Sequence, residues 1–125
     1  MVWFIFVSYC FIYLVYCSVG EDDGEVRAWC KANGALYQPY ASARNVKNMK
    51  TAAPAAYDVV SRIAKTYSQT NHAVIYKYFL QMGAAIIPRS TNSVHMAENL
   101  DTLNWSLSSN EQKQLSETSG AKAAV

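Results

Sequence analysis

The chain has 125 residues, of which 51% are apolar and 16% charged, and a net charge of +2. That balance fits one globular domain or part of one and excludes a disordered chain. The charge is too small, and the basic residues too scattered, for a nucleic-acid surface. Cys10, Cys17 and Cys30 have no CxxC spacing, and with His72 and His95 they give neither a disulfide framework nor a zinc set.

The first twenty residues, MVWFIFVSYCFIYLVYCSVG, carry no charge and are followed at once by EDDGE. Two readings of residues 1–20 stand side by side. A run of about 18 apolar residues can span a bilayer, and Ser18 and Gly20 are small residues suited to signal cleavage, although no Lys or Arg precedes Arg27. This reading brings membrane contact and the secretory pathway. A buried parallel strand also reads as a continuous apolar run, and strand length confines it to residues 11–17. That reading is compatible with a cytoplasmic protein.

EVRAWCKA, residues 25–32, predicts a short helix closed by Asn33-Gly34. ALYQPY is a strand candidate, with Pro39 arguing against an ideal central strand. ASARNVKNMKTAA, residues 41–53, has no strong period and reads as a long polar loop, a class that is often functional. Pro54 suits a first helical turn. Ala56, Val59, Val60, Ile63, Ala64 and Tyr67 recur at helical spacing and predict an amphipathic helix over residues 53–67.

Thr70 is placed to cap the next helix, NHAVIYKYFLQM. That helix is apolar on almost every side and so should be buried, with Lys77 the exception on the outer layer. Gly83 ends it, and AAIIP predicts a short buried strand over residues 84–88. A short helix over 93–100 follows. SSNE at 108–111 is a capping box that opens a last helix through Leu115, and residues 118–125 read as a flexible tail. Strands alternating with helices predict an α/β fold with a parallel sheet.

Polar chemistry gathers after the third strand candidate. Arg89 lies one residue past it, and Ser90, Thr91 and Asn92 lead into a helix start. The unpaired N–H groups and dipole of such a start favour an anion, most simply a phosphate. Glu98 and Asn99, two turns later, offer an acceptor and an amide to an adenine edge or to the loop itself. From residue types alone, Arg89 is also readable as a solvated charge at a strand end, and residues 90–92 as only a helix cap.

IIPRSTNSVHMAENL, followed by LNWSLSSNEQKQL, closely resembles the C-terminal part of the aldo-keto reductases. The family pattern there is Ile-Pro-Lys-Ser, an Arg six residues after the Lys, Glu-Asn, then an aromatic, a leucine and an acidic helix. AVIYKYFLQMGAAIIPRS is similar to the family's buried helix and eighth barrel strand, and EVRAWCKANGALYQPYAS to its sixth helix and seventh strand. The resemblance covers about residues 25–115. It implies a partial (β/α)8 TIM barrel over residues 21–117, roughly the last three βα units plus C-terminal helices, from a family that reduces carbonyls with NAD(P)H.

By motif position, the resemblance implies that Arg89 replaces the lysine facing the 2′-phosphate of NADP. Ser90, Thr91 and Asn92 would hold that phosphate and the ribose, and Glu98 and Asn99 would contact the adenine. Tyr40 would stack on the nicotinamide, although an ordinary core aromatic is the other reading of it. His95 stands where the family usually has an arginine, and a neutral imidazole grips phosphate less well than a guanidinium fork. Weak NADP(H) binding is therefore expected, with NAD(H) as an alternative. Ala41 lacks the hydroxyl found at the end of the family's seventh strand, although Ser42 is adjacent, and if residues 11–17 are the sixth strand, Leu14 falls where a glutamine would hold the nicotinamide amide.

The family's catalytic Asp, Tyr, Lys and His lie on a barrel half with no counterpart here, since a full barrel takes about 250 residues. Hydride transfer needs an acid beside the carbonyl, and neither Tyr40 nor Lys77 is placed to serve. No catalytic residue and no metal ligand is assigned. The expected function is that of a truncated aldo-keto reductase-like protein that keeps much of the cofactor's adenosine–phosphate site. The alternative is a non-enzymatic, membrane-tethered or secreted half-barrel that binds a nucleotide or a partner. An open three-strand sheet would also expose edges on which copies could associate. The purified chain is expected to show no aldehyde-dependent oxidation of NADPH above background, and measurable turnover in that assay would contradict the missing acid.

Overall fold

The computed structural model describes residues 11–17, 19, 23–44 and 46–119. Their elements, in chain order, are β1 (Ile12–Tyr16), α1 (Gly24–Ala32), β2 (Leu36–Tyr40), α2 (Val46–Ala52), α3 (Pro54–Thr66), α4 (Asn71–Gln81), α5 (Ser93–Asp101) and α6 (Ser109–Ser119). β1 and β2 are parallel, in register from Ile12 opposite Leu36 to Tyr16 opposite Tyr40. A parallel pair needs a crossover, and α1 provides it, packed on β2. The Leu36 N–H extends the ladder by donating to the Phe11 carbonyl at 2.7 Å. Part of the apolar N-terminal run is thus a strand. The membrane or signal reading otherwise falls on residues 1–10, outside the described residues, and among the described residues no helix is long and apolar enough to cross a membrane.

Two glycines set the chain reversals. α1 ends at Gly34, with φ +64°, and the Ala35 N–H returns to the Cys30 carbonyl at 2.9 Å. α4 ends at Gly83, with φ +80°, whose N–H reaches Leu80 O while the Ala84 N–H reaches Phe79 O. Both are left-handed helix ends in which orphan carbonyls find donors.

The core forms where α3 meets α2, α4 and α6. Val60, Ile63, Val74, Ile75, Tyr78, Phe79 and Leu115 are fully buried there. The predicted stripe on α3 holds, with Ala56, Val60, Ile63 and Ala64 buried and Val59 and Tyr67 packed against the core. Thr70 caps α4 as expected, its side chain accepting the Ala73 N–H at 3.2 Å.

Four expectations are corrected. The polar loop over 41–53 contains α2, whose Val46 and Met49 are buried while Lys47 and Lys50 face water. Two apolar positions are too few to display a period, and the surface of α3 completes the helix's packing. The strand predicted at 84–88 is an extended segment outside the sheet, so the sheet of the described residues has two strands. The Ala85 N–H does reach Tyr37 O at 3.0 Å, but Pro88 has no N–H to offer and Ile87 is 46% exposed. Lys77 is buried at 7% exposure, its ammonium 5.8 Å from the centre of the Trp105 ring. Its aliphatic stem buries readily while the cation meets the ring face. Lastly, α6 continues to Ser119, past the predicted start of the tail, and residues 120–125 lie outside the described residues.

Residues 102–119 are fastened to α3 and α4 by side chains. Gln81 donates to Leu107 O at 3.0 Å and accepts the Leu107 N–H at 2.7 Å. Arg62 donates to Gln114 at 2.8 Å, and the Tyr67 and Trp105 rings lie 5.1 Å apart. The predicted capping box is present. Glu111 Oε2 accepts the Ser108 N–H at 2.8 Å, and the Glu111 N–H donates to Ser108 Oγ at 3.3 Å. The same Oε2 accepts from the Tyr67 hydroxyl at 2.8 Å. This bond, ahead of burial, raises the Tyr67 pKa. Burial acts to raise the Glu111 pKa, but the hydrogen bonds from Ser108 and Tyr67, together with the Arg62 charge, outweigh it and leave the carboxyl lowered.

A lowered carboxyl contributes stability that is complete above its ordinary value of 4.5 and lost as pH falls through the lowered one. Urea midpoints should therefore drop on acidification below pH 4.5, and Glu111→Gln should flatten that drop. Parallel pH profiles for the two proteins would contradict the assignment.

Candidate functional site

The route from α4 to α5 delivers the candidate residues to one face. After Gly83 the chain runs extended beside β2, held by the Ala85 N–H on Tyr37 O, and reaches Arg89 just past Pro88. Ser90 and Asn92 then close a turn. The Ser90 hydroxyl accepts the Asn92 N–H at 3.1 Å, and Asn92 Oδ1 accepts the Val94 N–H at 2.9 Å to cap α5. Asn92 is thereby engaged as a helix cap.

A cleft of about 230 Å³ lies between the start of α4 and α5. Arg89 and Ser90 line it from the turn, His95, Glu98 and Asn99 from α5, and Thr70, His72 and Tyr76 from the α4 side. A second cleft, of about 480 Å³, opens at the C-terminal end of β2. It is lined by Tyr40, by residues 41–44 and by Ile87. Its remaining wall is His72, Tyr76 and Arg89, the residues it shares with the first cleft. The two adjoin there, and together they make one groove from Tyr40 to Asn99.

Five of the eight residues singled out by sequence, Arg89, Ser90, His95, Glu98 and Asn99, share the first cleft. Tyr40 stands in the second and is 43% exposed, so it is not a core aromatic. Thr91 and Asn92 line neither cleft. Next to Tyr40, Ala41 takes φ +57°, a left-handed conformation that an L-residue with a Cβ adopts only under constraint, and the turn it starts carries the Arg44 N–H back to Ala41 O at 2.9 Å. Ser42 in this turn is buried and lines the second cleft.

Three lining residues, Thr70, His72 and Tyr76, carried no signal of function in the sequence. His72 and Tyr76 are four apart on α4 and so share a face. The only cue was a histidine in the first turn of an otherwise apolar helix. Partial burial, and then the neighbouring His95, hold the His72 imidazole below its ordinary value, with Glu98 opposing. His72 is therefore neutral at pH 7. Burial raises the Tyr76 phenol, which keeps its proton and remains a donor.

The groove thus offers a fixed cation at Arg89, hydroxyls at Ser90 and Tyr76, an amide at Asn99, a carboxylate at Glu98 and an accessible ring at Tyr40. Such a set suits a ligand with an anionic middle and a planar, hydrogen-bonding end. Among the described residues, neither a carboxylate nor a lysine lines the cleft that holds Tyr40.

Comparison with known proteins extends this picture. No family model matches the chain. It is 31% identical over 98 residues to aldo-keto reductase family 4 member C11 of Arabidopsis thaliana, a match covering 74% of this chain and 30% of the relative. It is 21% identical over 108 residues to the NAD(P)H-dependent 6'-deoxychalcone synthase of Glycine max, covering 86% of this chain and 34% of the relative. The chain is related to the aldo-keto reductases. It spans about a third of the length of these relatives. The same fold appears in MGS-M4, an aldo-keto reductase from a Medee basin deep-sea metagenome library, with a TM-score of 0.75 at 18% identity over 87% of this chain and 40% of that one. It appears again in a Gox0644 mutant in complex with NADPH, with a TM-score of 0.73 at 18% identity over 86% of this chain and 38% of that one. The mixed helix and strand architecture described above is therefore shared with part of these solved aldo-keto reductase structures.

Proposed function

We propose that the chain represents the C-terminal part of an aldo-keto reductase barrel and that its groove binds a nicotinamide adenine dinucleotide without reducing a carbonyl by itself. The observation that carries this reading is the adjoining of the two clefts, with Tyr40 at one end and Arg89, Ser90, His95, Glu98 and Asn99 at the other. The donor set fits the group. Arg89, Ser90 and His95 match a phosphate, and a guanidinium–phosphate pair is the strongest of these contacts. Glu98 and Asn99 supply the acceptor and amide that an adenine edge requires. Tyr40 presents a ring for the nicotinamide.

When bound, the cofactor supplies a hydride. The chain's own residues bind and orient it. The proton that must accompany hydride transfer would have to come from Tyr40, Tyr76 or His72, and among the described residues no carboxylate or lysine lines that cleft to tune any of them as an acid. With His72 neutral at pH 7, Arg89 is the cation on which discrimination of NADP from NAD rests.

Calorimetric titration tests the assignment. Arg89→Ala is expected to weaken NADP+ binding by about 1–3 kcal/mol, the scale of a charge-assisted hydrogen bond, and NAD+ binding by less. An unchanged NADP+ dissociation constant would refute Arg89 as the phosphate ligand.

A further inference from the structure

We infer that His72 is a phosphate-contacting residue of this groove, presenting a protonated imidazole to the diphosphate bridge of the dinucleotide. The inference rests on the cofactor reading above and adds a residue that the sequence motif did not single out. His72 lines both clefts, and so it stands at their waist, with Arg89 and Tyr76. In a dinucleotide laid along the groove, with one nucleoside in each cleft, the part that crosses the waist is the diphosphate. The residues met there are a guanidinium, a phenol that donates and an imidazole.

The imidazole is the adjustable member of the three. His95 and Glu98 face it from α5, Arg89 from the preceding turn and Tyr76 from its own helix, and Arg44 lines the wall of the second cleft. Two of these, His95 and Glu98, act on it with opposite sign. A diphosphate placed at the waist adds negative charge beside the ring and favours imidazolium. Binding then takes up a proton, and affinity rises as pH falls through the imidazole range. The bridge itself stays ionised throughout that range, whereas a 2′-phosphate titrates near pH 6. NAD+ is therefore the clean probe.

The test is calorimetry of NAD+, NADP+ and inorganic pyrophosphate between pH 7.5 and 5.5, in buffers of different ionisation enthalpy, with wild type and His72→Gln. Proton uptake is expected with NAD+ in the wild type and is expected to vanish in the variant, and the uptake with NADP+ should fall by the same amount. At pH 5.5 the variant should bind NAD+ at least about tenfold more weakly, the scale of one charge-assisted bond, and at pH 7.5 nearly equally. Circular dichroism of the variant should match wild type, since His72 lies at the surface of α4. Undiminished uptake in His72→Gln would overturn the inference while leaving the cofactor reading intact. A response confined to NADP+ would overturn the placement at the bridge. His72-dependent binding of pyrophosphate, without binding of either dinucleotide, would overturn the cofactor reading and leave the imidazole as an oxyanion contact.

Discussion

α4 is accessible to water only near its ends. Every residue from Ala73 to Phe79 is buried, Lys77 included. The helix therefore cannot turn about its axis without drawing a large apolar side chain into water, at a cost of about 1.5–3 kcal/mol for each. That constraint fixes the side on which His72 emerges and on which the buried Tyr76 meets the groove. Thr70 sets where the helix begins, and the left-handed turn at Gly83 sets where the chain leaves it. The extended segment that follows is aimed along β2 by the Ala85–Tyr37 bond, and Arg89 arrives at the end of the strand that carries Tyr40. The groove is thus a consequence of how one helix is buried and how it ends.

The first half of β1 is left open to water. Phe11, Ile12, Tyr13 and Leu14 on and beside β1, with Trp29 of α1, are exposed, and Phe11 is 64% so. Tyr13 and Trp29 lean on one another with ring centres 6.0 Å apart. α5 buries no residue, and Val94, Met96 and Leu100 face water on it. Stability accordingly comes from the α3–α4–α6 side, where Gln81, Arg62, Tyr67 and Glu111 fasten residues 102–119 down. The two walls of the groove differ accordingly: α4 supplies one from a mostly buried helix, and α5 supplies the other with no buried residue.

How much of this the sequence carried depended on how local the cause was. α3 and α4 were legible because long apolar stripes at helical spacing report burial directly. The capping box at Ser108 and the helix ends at Gly34 and Gly83 were legible because single residue types suit those conformations. α2 was not, because its helical state rests on α3 rather than on its own pattern. The run at 84–88 misled for a related reason. An apolar segment rich in isoleucine reads as a strand, but a ladder also needs donors and a neighbour, and Pro88 withholds one donor. The burial of Lys77 was illegible because Trp105, which receives its cation, is distant in sequence.

The same distinction applies to the site. Arg89, Ser90, His95, Glu98 and Asn99 lie within eleven residues, and a motif of that length survives in the sequence as a unit. Their convergence on one cleft followed the turn and the helix that hold them. Thr91 and Asn92 belonged to the same string but not to the cleft, because Asn92 is spent on capping α5. His72 and Tyr76 enter only through the approach of α4 to the end of β2, which no local pattern encodes. The most direct test of the groove as a dinucleotide site is amide chemical-shift mapping on the isotopically labelled chain as NADP+ is added. Shifts should concentrate at residues 40–44, at His72 and Tyr76, and along 89–99. Shifts confined to residues 11–14 and Trp29 on the open apolar face, or none at saturating nucleotide, would contradict it.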